Sequence, residues 1–576
     1  MSIVHFRKQV SIRRFAAVLL VALMLINQLP AFLVTSALAD DSDSFIEHEF
    51  SGEGSLTDPW ILENEQDFKN LAENVANIEY YSTGKYFEVR PAVNPGDEGI
   101  RALYFSDNAN DRVLIGSLED EPAYWFYGNL NMNNTTLYTS YPILGTVSDG
   151  ASVSFGYLVL SDNGDHPEIY DSAWGSLAHR VVSSGGEQSG EILVRNMEVA
   201  VDIDLADTSR YHSSALGGLI GTVANDSSEA LVLEIDTVEL AAKSNRNFSI
   251  RSSHGAMGGL IGTLDNGDLF ANDASHIGVR LNNVTVDGVV ENQYADGLTG
   301  GFIGRTNQGC VVELNGETEV PDGGLVSGGI TALLIAQANQ ALVYTKDSFS
   351  LLLNGTQRQL GDDLDKDLLR GAAVLAKLDP SIRVLGTGQE SDPYVLATPN
   401  HLLLLSAALN TLNGSALACF NYPDTVDAES LPNANHGKPL QFAELASADD
   451  RLTARQYLQQ AHYQVAQDID VQNTGFFGLG YYLDATRYVS FSGVFGGNNE
   501  INPPIINFGM RSTQGVLGFF PVLDGATISN LVLDGEITSD GEVLGSLAAY
   551  GVLPGQTVNP GFTVRNVESR VDITAS

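Results

Sequence analysis

Apolar and polar residues alternate along several stretches in the first half of the chain. Val199, Val201 and Ile203 occupy every second position, with Ala or Asp between them. A period of two residues predicts β-strands that have one buried face and one exposed face. Turn-forming Asn, Asp and Gly residues bound each stretch, and no helical period separates them. The clearest stretches are 192–205, 231–243 and 279–290.

A glycine motif recurs between these stretches at a nearly constant interval. It reads GGLIG at Gly217–Gly221 and Gly258–Gly262, and GGFIG at Gly300–Gly304, so the spacings are 41 and 42 residues. A fixed period of this size indicates a repeat architecture in which each unit packs against the next. We therefore expect an all-β fold, a parallel β-helix in which the central apolar residue of each motif stacks in one inward column. These residues are Leu219, Leu260 and Phe302.

A second, larger repetition divides the chain into two tandem modules. The segments 52–75 and 386–409 share a Gly-x-Gly, an Asp-Pro-aromatic, a short apolar strand and a run of helical character. Likewise, VRNMEVAVDID at 194–204 returns as VRNVESRVDIT at 564–574. The helical runs predict a cap at each module start, which would protect the open edge of the first coil.

The boundaries that we infer follow from this repetition. Module 1 covers 40–330, with its cap-like start at 52–75 and its β-helix at about 124–330. A connecting segment covers 331–384, in which 361–380 has helical spacing. Module 2 covers 385–576, with its cap-like start at 386–409 and an incomplete β-helix at about 490–576.

The glycine repeats resemble the GLUG motif, which is named for glycine, leucine, any residue and glycine. The resemblance is good at the three sites above and looser at Gly541–Ala549, which reads GEVLGSLAA. The opening at 52–75 is similar to the start of many large bacterial surface proteins with such repeats. The resemblance implies right-handed β-helical repeats in adhesin-like surface proteins, and in some secreted IgA-specific peptidases. It transfers no catalytic residue, because the glycines and the leucine of the motif are structural.

The N-terminus has the three parts of a secretory signal peptide. Arg7, Lys8, Arg13 and Arg14 form a basic region, and Phe15–Ile26 is an unbroken apolar run. The run has 12 residues, whereas roughly 20 are needed to span a membrane. Small residues precede a cleavage point at Asp40, which predicts removal of residues 1–39 and export to the cell surface or the medium. The small residues are Ala37 and Ala39.

Charge and cysteine content narrow the possible partners and the source of stability. The formal net charge is −41, and removal of residues 1–39, which hold four Lys/Arg and no Asp/Glu, makes it −45. A field of that sign repels nucleic acid and anionic membranes, so neither is an expected partner. Cys310 and Cys419 are the two cysteines of the whole sequence. A disulfide-stabilised secreted protein has far more cysteines, so we expect its stability to come from a large continuous core. We also expect no integral membrane segment after cleavage of the signal peptide.

Paired carboxylates are the main candidates for catalysis, because polysaccharide lyases and hydrolases also use β-helices. Asp202 and Asp204 lie two residues apart on a predicted strand, as do Asp468 and Asp470, which puts each pair about 7 Å apart on one face. That separation suits general acid–base work on a sugar. It is equally what alternation of inward Val or Ile with outward Asp produces. We assign no catalytic, cofactor or metal residue.

Three further groups have both a structural and a functional interpretation. Four aspartates within 361–368 could ligate Ca²⁺, although the glycine and distal glutamate of a calcium loop are missing and a solvated acidic linker is favoured. Three histidines near the glycine repeats are interpreted as loop residues. Four consecutive aromatics could stack on carbohydrate, although core packing is favoured. The residues are Asp362, Asp363, Asp365 and Asp367; His179, His212 and His254; and Tyr124, Trp125, Phe126 and Tyr127.

Repeats, acidity and an export signal without catalytic motifs favour a non-catalytic surface protein in adhesion or extracellular interaction. Its partner would be an extracellular ligand, such as a host or matrix glycan or protein. The alternative is a secreted polysaccharide-degrading enzyme on a β-helix scaffold. Because 564–574 matches a part of module 1 that more than a hundred residues follow, we also expect this chain to be a fragment of a longer protein.

Overall fold

The computed structural model describes most of the chain after residue 46. The described residues are 47–92, 101–106, 113–118, 122–161, 173–183, 191–205, 214–225, 231–241, 248–265, 277–306, 310–320, 326–345, 349–353, 355–358, 369–377, 383–411, 414–423, 448–472, 476, 478–482, 488–512, 516–539, 543–551 and 561–575. The chain divides into two units, Met1–Glu49 and Phe50–Ser576. The expected signal peptide at 1–39 lies outside the described residues, and everything below concerns the second unit.

Strands dominate the described part of the second unit, with few helices. The first strands are β1 (Trp60–Leu62), β2 (Tyr86–Val89), β3 (Ala102–Tyr104), β4 (Asn129–Thr139), β5 (Leu144–Ser148), β6 (Ser152–Ser161), β7 (Ala173–Gly175), β8 (Ala178–Val182), β9 (Ile192–Leu205), β10 (Ala215–Gly217), β11 (Ile220–Ala224), β12 (Leu231–Leu240), β13 (Ser249–Ser252), β14 (Ala256–Gly258), β15 (Ile261–Asp265), β16 (Ile277–Val286), β17 (Val289–Asn292), β18 (Leu298–Gly300) and β19 (Ile303–Thr306). The later strands are β20 (Val311–Asn315), β21 (Glu317–Val320), β22 (Val326–Ser327), β23 (Ile330–Ala332), β24 (Ile335–Thr345), β25 (Ser350–Leu353), β26 (Thr356–Arg358), β27 (Leu369–Lys377), β28 (Tyr394–Leu396), β29 (His462–Val465), β30 (Ile469–Val471), β31 (Tyr481–Tyr482), β32 (Tyr488–Val489), β33 (Val494–Gly497), β34 (Ile505–Ser512), β35 (Val516–Val522), β36 (Thr527–Ser539), β37 (Val543–Tyr550) and β38 (Thr563–Ala575). The α-helices are α1 (Glu65–Asn77), α2 (Pro399–Thr411), α3 (Gly414–Leu417) and α4 (Ala448–Gln460), and short 3₁₀ turns occupy Glu79–Tyr81 and Pro122–Tyr124. None of these helices is long and apolar enough to cross a membrane.

Successive repeats pair in parallel and in register, which is consistent with an all-β, β-helix-like solenoid. Ile235 of β12 lies opposite Val194 of β9 on one side and opposite Leu281 of β16 on the other. The short strands β7, β10, β14, β18 and β23 form a separate five-stranded parallel sheet. The repeat that begins at Ala256 thus contributes β14 to the five-stranded sheet and β15, β16 and β17 to the 22-stranded sheet.

The expected inward column is confirmed. The Leu219 N–H donates to the Leu260 carbonyl at 3.0 Å, and the Leu260 N–H donates to the Phe302 carbonyl at 2.9 Å. All three side chains are fully buried. The column continues on both sides. The Leu177 N–H donates to the Leu219 carbonyl, and the Phe302 N–H donates to the Leu334 carbonyl. Burial of each such side chain contributes about 1.5–3 kcal/mol.

The glycines of the motif are explained by close backbone approach. Gly217 and Gly258 lie opposite each other in register. A Cβ on either would lie 1.9 Å from the carbonyl oxygen of the residue three positions later, Ile220 or Ile261. The looser motif repeats this geometry, since a Cβ on Gly545 would lie 2.0 Å from the Ala548 carbonyl oxygen. Only glycine fits a bend this tight.

The two similar module starts also share a local structure. Gly52 and Gly386 both have positive φ, and a Cβ on either would collide with the carbonyl oxygen of the following Asp-Pro proline at 2.2 and 2.0 Å. Helices follow at both places, α1 and α2. Helix α1 begins with a capping box between Asn64 and Asp67, which satisfies backbone donors that a helix start leaves open. It buries the apolar stripe Phe68, Leu71 and Val75.

Parallel pairing extends beyond residue 330. Leu342 and Val343 of β24 pair in register with Val374 and Leu375 of β27. The helical spacing of 361–380 therefore gives the wrong element at 369–377, because pairing with the neighbouring coil outweighs local helix propensity. The buried apolar residues form two large clusters, one from Trp60 to Leu351 and one from Val384 to Ile537 that also includes Val311.

Candidate functional site

Two stacked tyrosines form the most exposed aromatic feature of the outer coil surface. Leu103 and Leu137 pair across β3 and β4 and point into the core. The next pair, Tyr104 and Tyr138, therefore points outward. Their ring centroids are 4.6 Å apart and the ring planes differ by 5°. Tyr104 is 64% exposed and Tyr138 is half-buried.

The neighbouring outward column changes from aromatic to acidic along the coils. Thr136 lies opposite Tyr157 of β6, and Tyr157 lies opposite Glu198 of β9. Glu198 in turn lies opposite Glu239 of β12. We call Tyr104, Tyr138 and Tyr157 the tyrosine face. Along the solenoid, the tyrosine face ends at two carboxylates, Glu198 and Glu239, which lie directly opposite each other.

The start of helix α1 supplies polar groups at the end of β3. The Ser106 N–H, two residues after Tyr104, donates to Glu65 Oε1 at 3.1 Å. Lys69 Nζ lies 3.2 Å from the same carboxylate oxygen. The intervening Phe105 packs edge-on against Phe68, with ring centroids 5.2 Å apart. This packing fixes the helix against the end of β3.

A separate polar cluster surrounds Arg280 on the outer surface. Its guanidinium forms a close ion pair with Glu191 and lies 3.8 and 4.0 Å from Glu234 and Glu313. Burial, and secondarily the neighbouring Glu191, raises the pKa of Glu234 above its ordinary value, although Arg280 opposes the shift. Asn282 Nδ2 also donates to Glu234 Oε1 at 3.0 Å. The guanidinium of Arg280 thus lies within ion-pair distance of three carboxylates.

Of the two carboxylate pairs considered for catalysis, the second has structural hydrogen bonds. Asp202 is an exposed residue of β9, and the side chain of Asp204 lies outside the described residues. Asp468 Oδ1 accepts the Ile505 N–H at 2.8 Å. Asp470 Oδ1 accepts the Gln472 N–H at 3.0 Å and the Asn507 amide at 3.2 Å. Both aspartates of the second pair therefore hold neighbouring coils together.

The histidines and the acidic cluster do not assemble into a site in the described residues. His179 lies in strand β8 and is buried, so its interpretation as a loop residue is wrong. His254 is buried between β13 and β14 with Nδ1 against Ser252 Oγ. His212 and the four aspartates from Asp362 to Asp367 lie outside the described residues. Within the described ranges, no group of three or more His, Cys, Asp or Glu could hold a metal ion.

The four consecutive aromatics belong mainly to the core. Phe126 is fully buried with its ring centroid 6.0 Å from that of Phe87, and Trp125 is 5% exposed. Tyr124 and Tyr127 are half-buried, and the Tyr127 hydroxyl donates to the Pro122 carbonyl at 2.9 Å. Core packing is confirmed for Trp125 and Phe126. Cys310 and Cys419 are both buried free thiols.

The sequence interpretation missed the tyrosine stack, although a signal was present. The dipeptide Leu-Tyr occurs at 103–104 and again at 137–138. Alternation places each Leu inward and each Tyr outward. Only the register, which joins positions 34 residues apart, brings the two rings together.

Comparison with known proteins adds no relative. The chain matches no family model, no curated protein and no solved structure.

Proposed function

We propose that this chain is an exported surface protein with GLUG-like repeats that acts in adhesion or another extracellular interaction without catalysis. Its fold would be a right-handed parallel β-helix in two tandem modules. The coil stack would serve as a rigid scaffold, and the outer surface of the coils would bind the partner. The single observation that carries the binding role is the exposed tyrosine stack of Tyr104 and Tyr138.

The architecture supports this proposal through its repetition. The glycine bends recur at Gly217, Gly258 and Gly545, and the two buried clusters divide the apolar residues near the expected connecting segment. Stacked repeats give long, regular outer faces that suit binding of extended partners. The signal-peptide pattern at 1–39 and the acidic composition agree with an extracellular location.

The chemistry of the surface favours binding over cleavage. A solvent-exposed aromatic pair offers rigid, flat apolar contact area at low entropic cost. The carboxylates at Asp468 and Asp470, by contrast, already accept backbone hydrogen bonds at 2.8 and 3.0 Å. A general acid or base must be in reach of a reacting group, and these oxygens are directed at the coil itself. The alternative of a polysaccharide-degrading enzyme therefore loses the pair of Asp468 and Asp470, and the exposed Asp202 is its remaining described candidate.

The proposal is tested with the full chain, produced in a bacterial host with its own N-terminus. We expect a secreted product that begins at Asp40, as determined by N-terminal sequencing. Beads coated with this product should adhere to cell layers or extracellular matrix more strongly than beads coated with albumin, which is also acidic. Shortening of polysaccharide chains by the product, without adhesion, would overturn the proposal in favour of the enzyme.

A further inference from the structure

We infer that the open ring face of Tyr104 is a binding platform for an uncharged glycan, with Tyr138 stacked behind it. This inference rests on the proposed function, because it names the ligand class for the same surface. One face of the Tyr104 ring is covered by Tyr138 at 4.6 Å. An exposure of 64% therefore requires the opposite face to be open to solvent. A flat, open ring of this kind matches the C–H face of a pyranose.

The platform is rigid, which favours binding of a flexible chain. Tyr104 and Tyr138 are held by in-register pairing of β3 and β4, and Leu103 anchors β3 in the core. Phe105 on the next position packs against Phe68 of α1. A ligand that stacks on Tyr104 thus meets a surface that is already ordered, so little conformational entropy is lost on the protein side.

Polar groups of α1 at the end of β3 can serve hydroxyl groups of a sugar chain that extends from the ring. Glu65 and Lys69 lie at the start of α1, and their side chains are each 25% exposed. Glu65 accepts the backbone N–H of Ser106, two residues after Tyr104. A carboxylate accepts and an ammonium donates, so together they can satisfy both roles of a hydroxyl group. An aromatic face with a few placed polar groups is the usual composition of a small-ligand site.

Charge selects against acidic glycans. The coils that follow the tyrosine face carry Glu198 and Glu239 in the adjoining outward column. The whole chain has a formal net charge of −41. Sulfated or uronic-acid polymers would meet like charges at this surface and are disfavoured.

Size argues against a folded protein as the partner of this stack. A stable protein–protein interface buries about 800 Å² on each side. Tyr104 is the one outward tyrosine of the face that is mostly exposed, while Tyr138 and Tyr157 are half-buried. One ring and its rim match a sugar unit rather than an interface of that extent.

The test uses the full chain in isothermal titration with cellohexaose, maltohexaose, chitohexaose and an oligogalacturonate of the same length. We expect at least one of the three uncharged oligosaccharides to bind and the anionic oligogalacturonate to bind more weakly or not at all. Tyr104→Ala should weaken binding by about tenfold or more, whereas Tyr104→Phe, which keeps the ring, should stay within about twofold. Tyr80→Ala removes another exposed tyrosine and should leave binding unchanged.

Three results would overturn this inference. They are binding that survives Tyr104→Ala, preference for the anionic oligosaccharide, and absence of binding to all uncharged probes. Circular dichroism of the alanine variant verifies the fold, and the phenylalanine variant keeps the test valid if that fold is lost. Bead adhesion distinguishes the two proposals. Adhesion that persists in Tyr104→Ala leaves the proposed function standing and removes the glycan platform, whereas absence of adhesion by the parent chain removes the proposed function.

Discussion

Asn530 and Asn566 lie directly opposite each other in β36 and β38, and Nδ2 of Asn566 donates to Oδ1 of Asn530 at 3.0 Å. Their φ angles are +54° and +51°, so both residues adopt the left-handed conformation. Asn196 and Asn283 have the same conformation in the earlier coils. Asparagine tolerates this region better than other residues with a Cβ. Asn196 and Asn566 are the asparagines of the repeated VRN sequence, which therefore marks a left-handed bend within a long strand.

Replacement of Asn530 tests whether the bend depends on this conformation. Asn530→Ala should lower the free energy of unfolding by about 2 kcal/mol, because it adds left-handed strain and removes the side-chain hydrogen bond. Asn530→Gly removes the same hydrogen bond but adopts positive φ freely. It should therefore lose about 1 kcal/mol less than the alanine variant in urea unfolding. If both variants lost the same free energy of unfolding, the left-handed backbone conformation at residue 530 would not contribute to stability.

The repeat pattern was sufficient to predict the parallel coils and the column of Leu219, Leu260 and Phe302. Both depend on residues that recur at one period, so the sequence itself contains the register. The stack of Tyr104 on Tyr138 depends on a 34-residue offset outside that period, and only the fold reveals it. The strand at 369–377 was missed for a related reason. Its Leu- and Ala-rich composition favours a helix locally, whereas pairing with β24 decides the outcome.

Truncation of the inward column should destabilise the coils strongly. Leu260→Ala is expected to lower the free energy of unfolding by about 2–5 kcal/mol, because Leu260 is fully buried and the change leaves a cavity. Asp202→Ala is the control at an exposed outward position and should cost well under about 1 kcal/mol. Thermal melts of the two variants measure the difference. Comparable losses would mean that Asp202 makes a stabilising contact of its own.

The glycine bend should be intolerant of a single methyl group. Gly258→Ala places a Cβ 1.9 Å from the Ile261 carbonyl oxygen, and the backbone must move to relieve the clash. We expect a loss of about 3 kcal/mol or more in chemical unfolding. Gly278→Ala is the matched control, because the nearest atom to its Cβ is 3.8 Å away. This variant should be neutral or slightly more stable. A tolerated Gly258→Ala would refute the steric explanation of the motif.

The surroundings of Glu234 predict a pH dependence of stability with a definite sign. Burial and Glu191 raise its pKa in the folded protein, so the folded state favours the protonated carboxyl group. That contribution is fully present below the unfolded pKa and is lost as pH rises through the folded pKa. Glu234→Gln keeps the neutral form at every pH. It should therefore melt at a higher temperature than the parent at pH 7, and the two should converge near pH 4.

Glu568→Gln provides a control of opposite sign. The hydrogen bond from Arg570 lowers the pKa of Glu568, so its contribution is present above the unfolded pKa and is lost as pH falls through the folded pKa. This variant should melt no higher than the parent at pH 7 and should approach it in acid. Differences between each variant and the parent, measured at each pH, cancel the titration of the other carboxylates. If Glu234→Gln melts below the parent at pH 7, attraction to Arg280 outweighs burial and repulsion from Glu191, and the explanation given for the raised pKa is wrong.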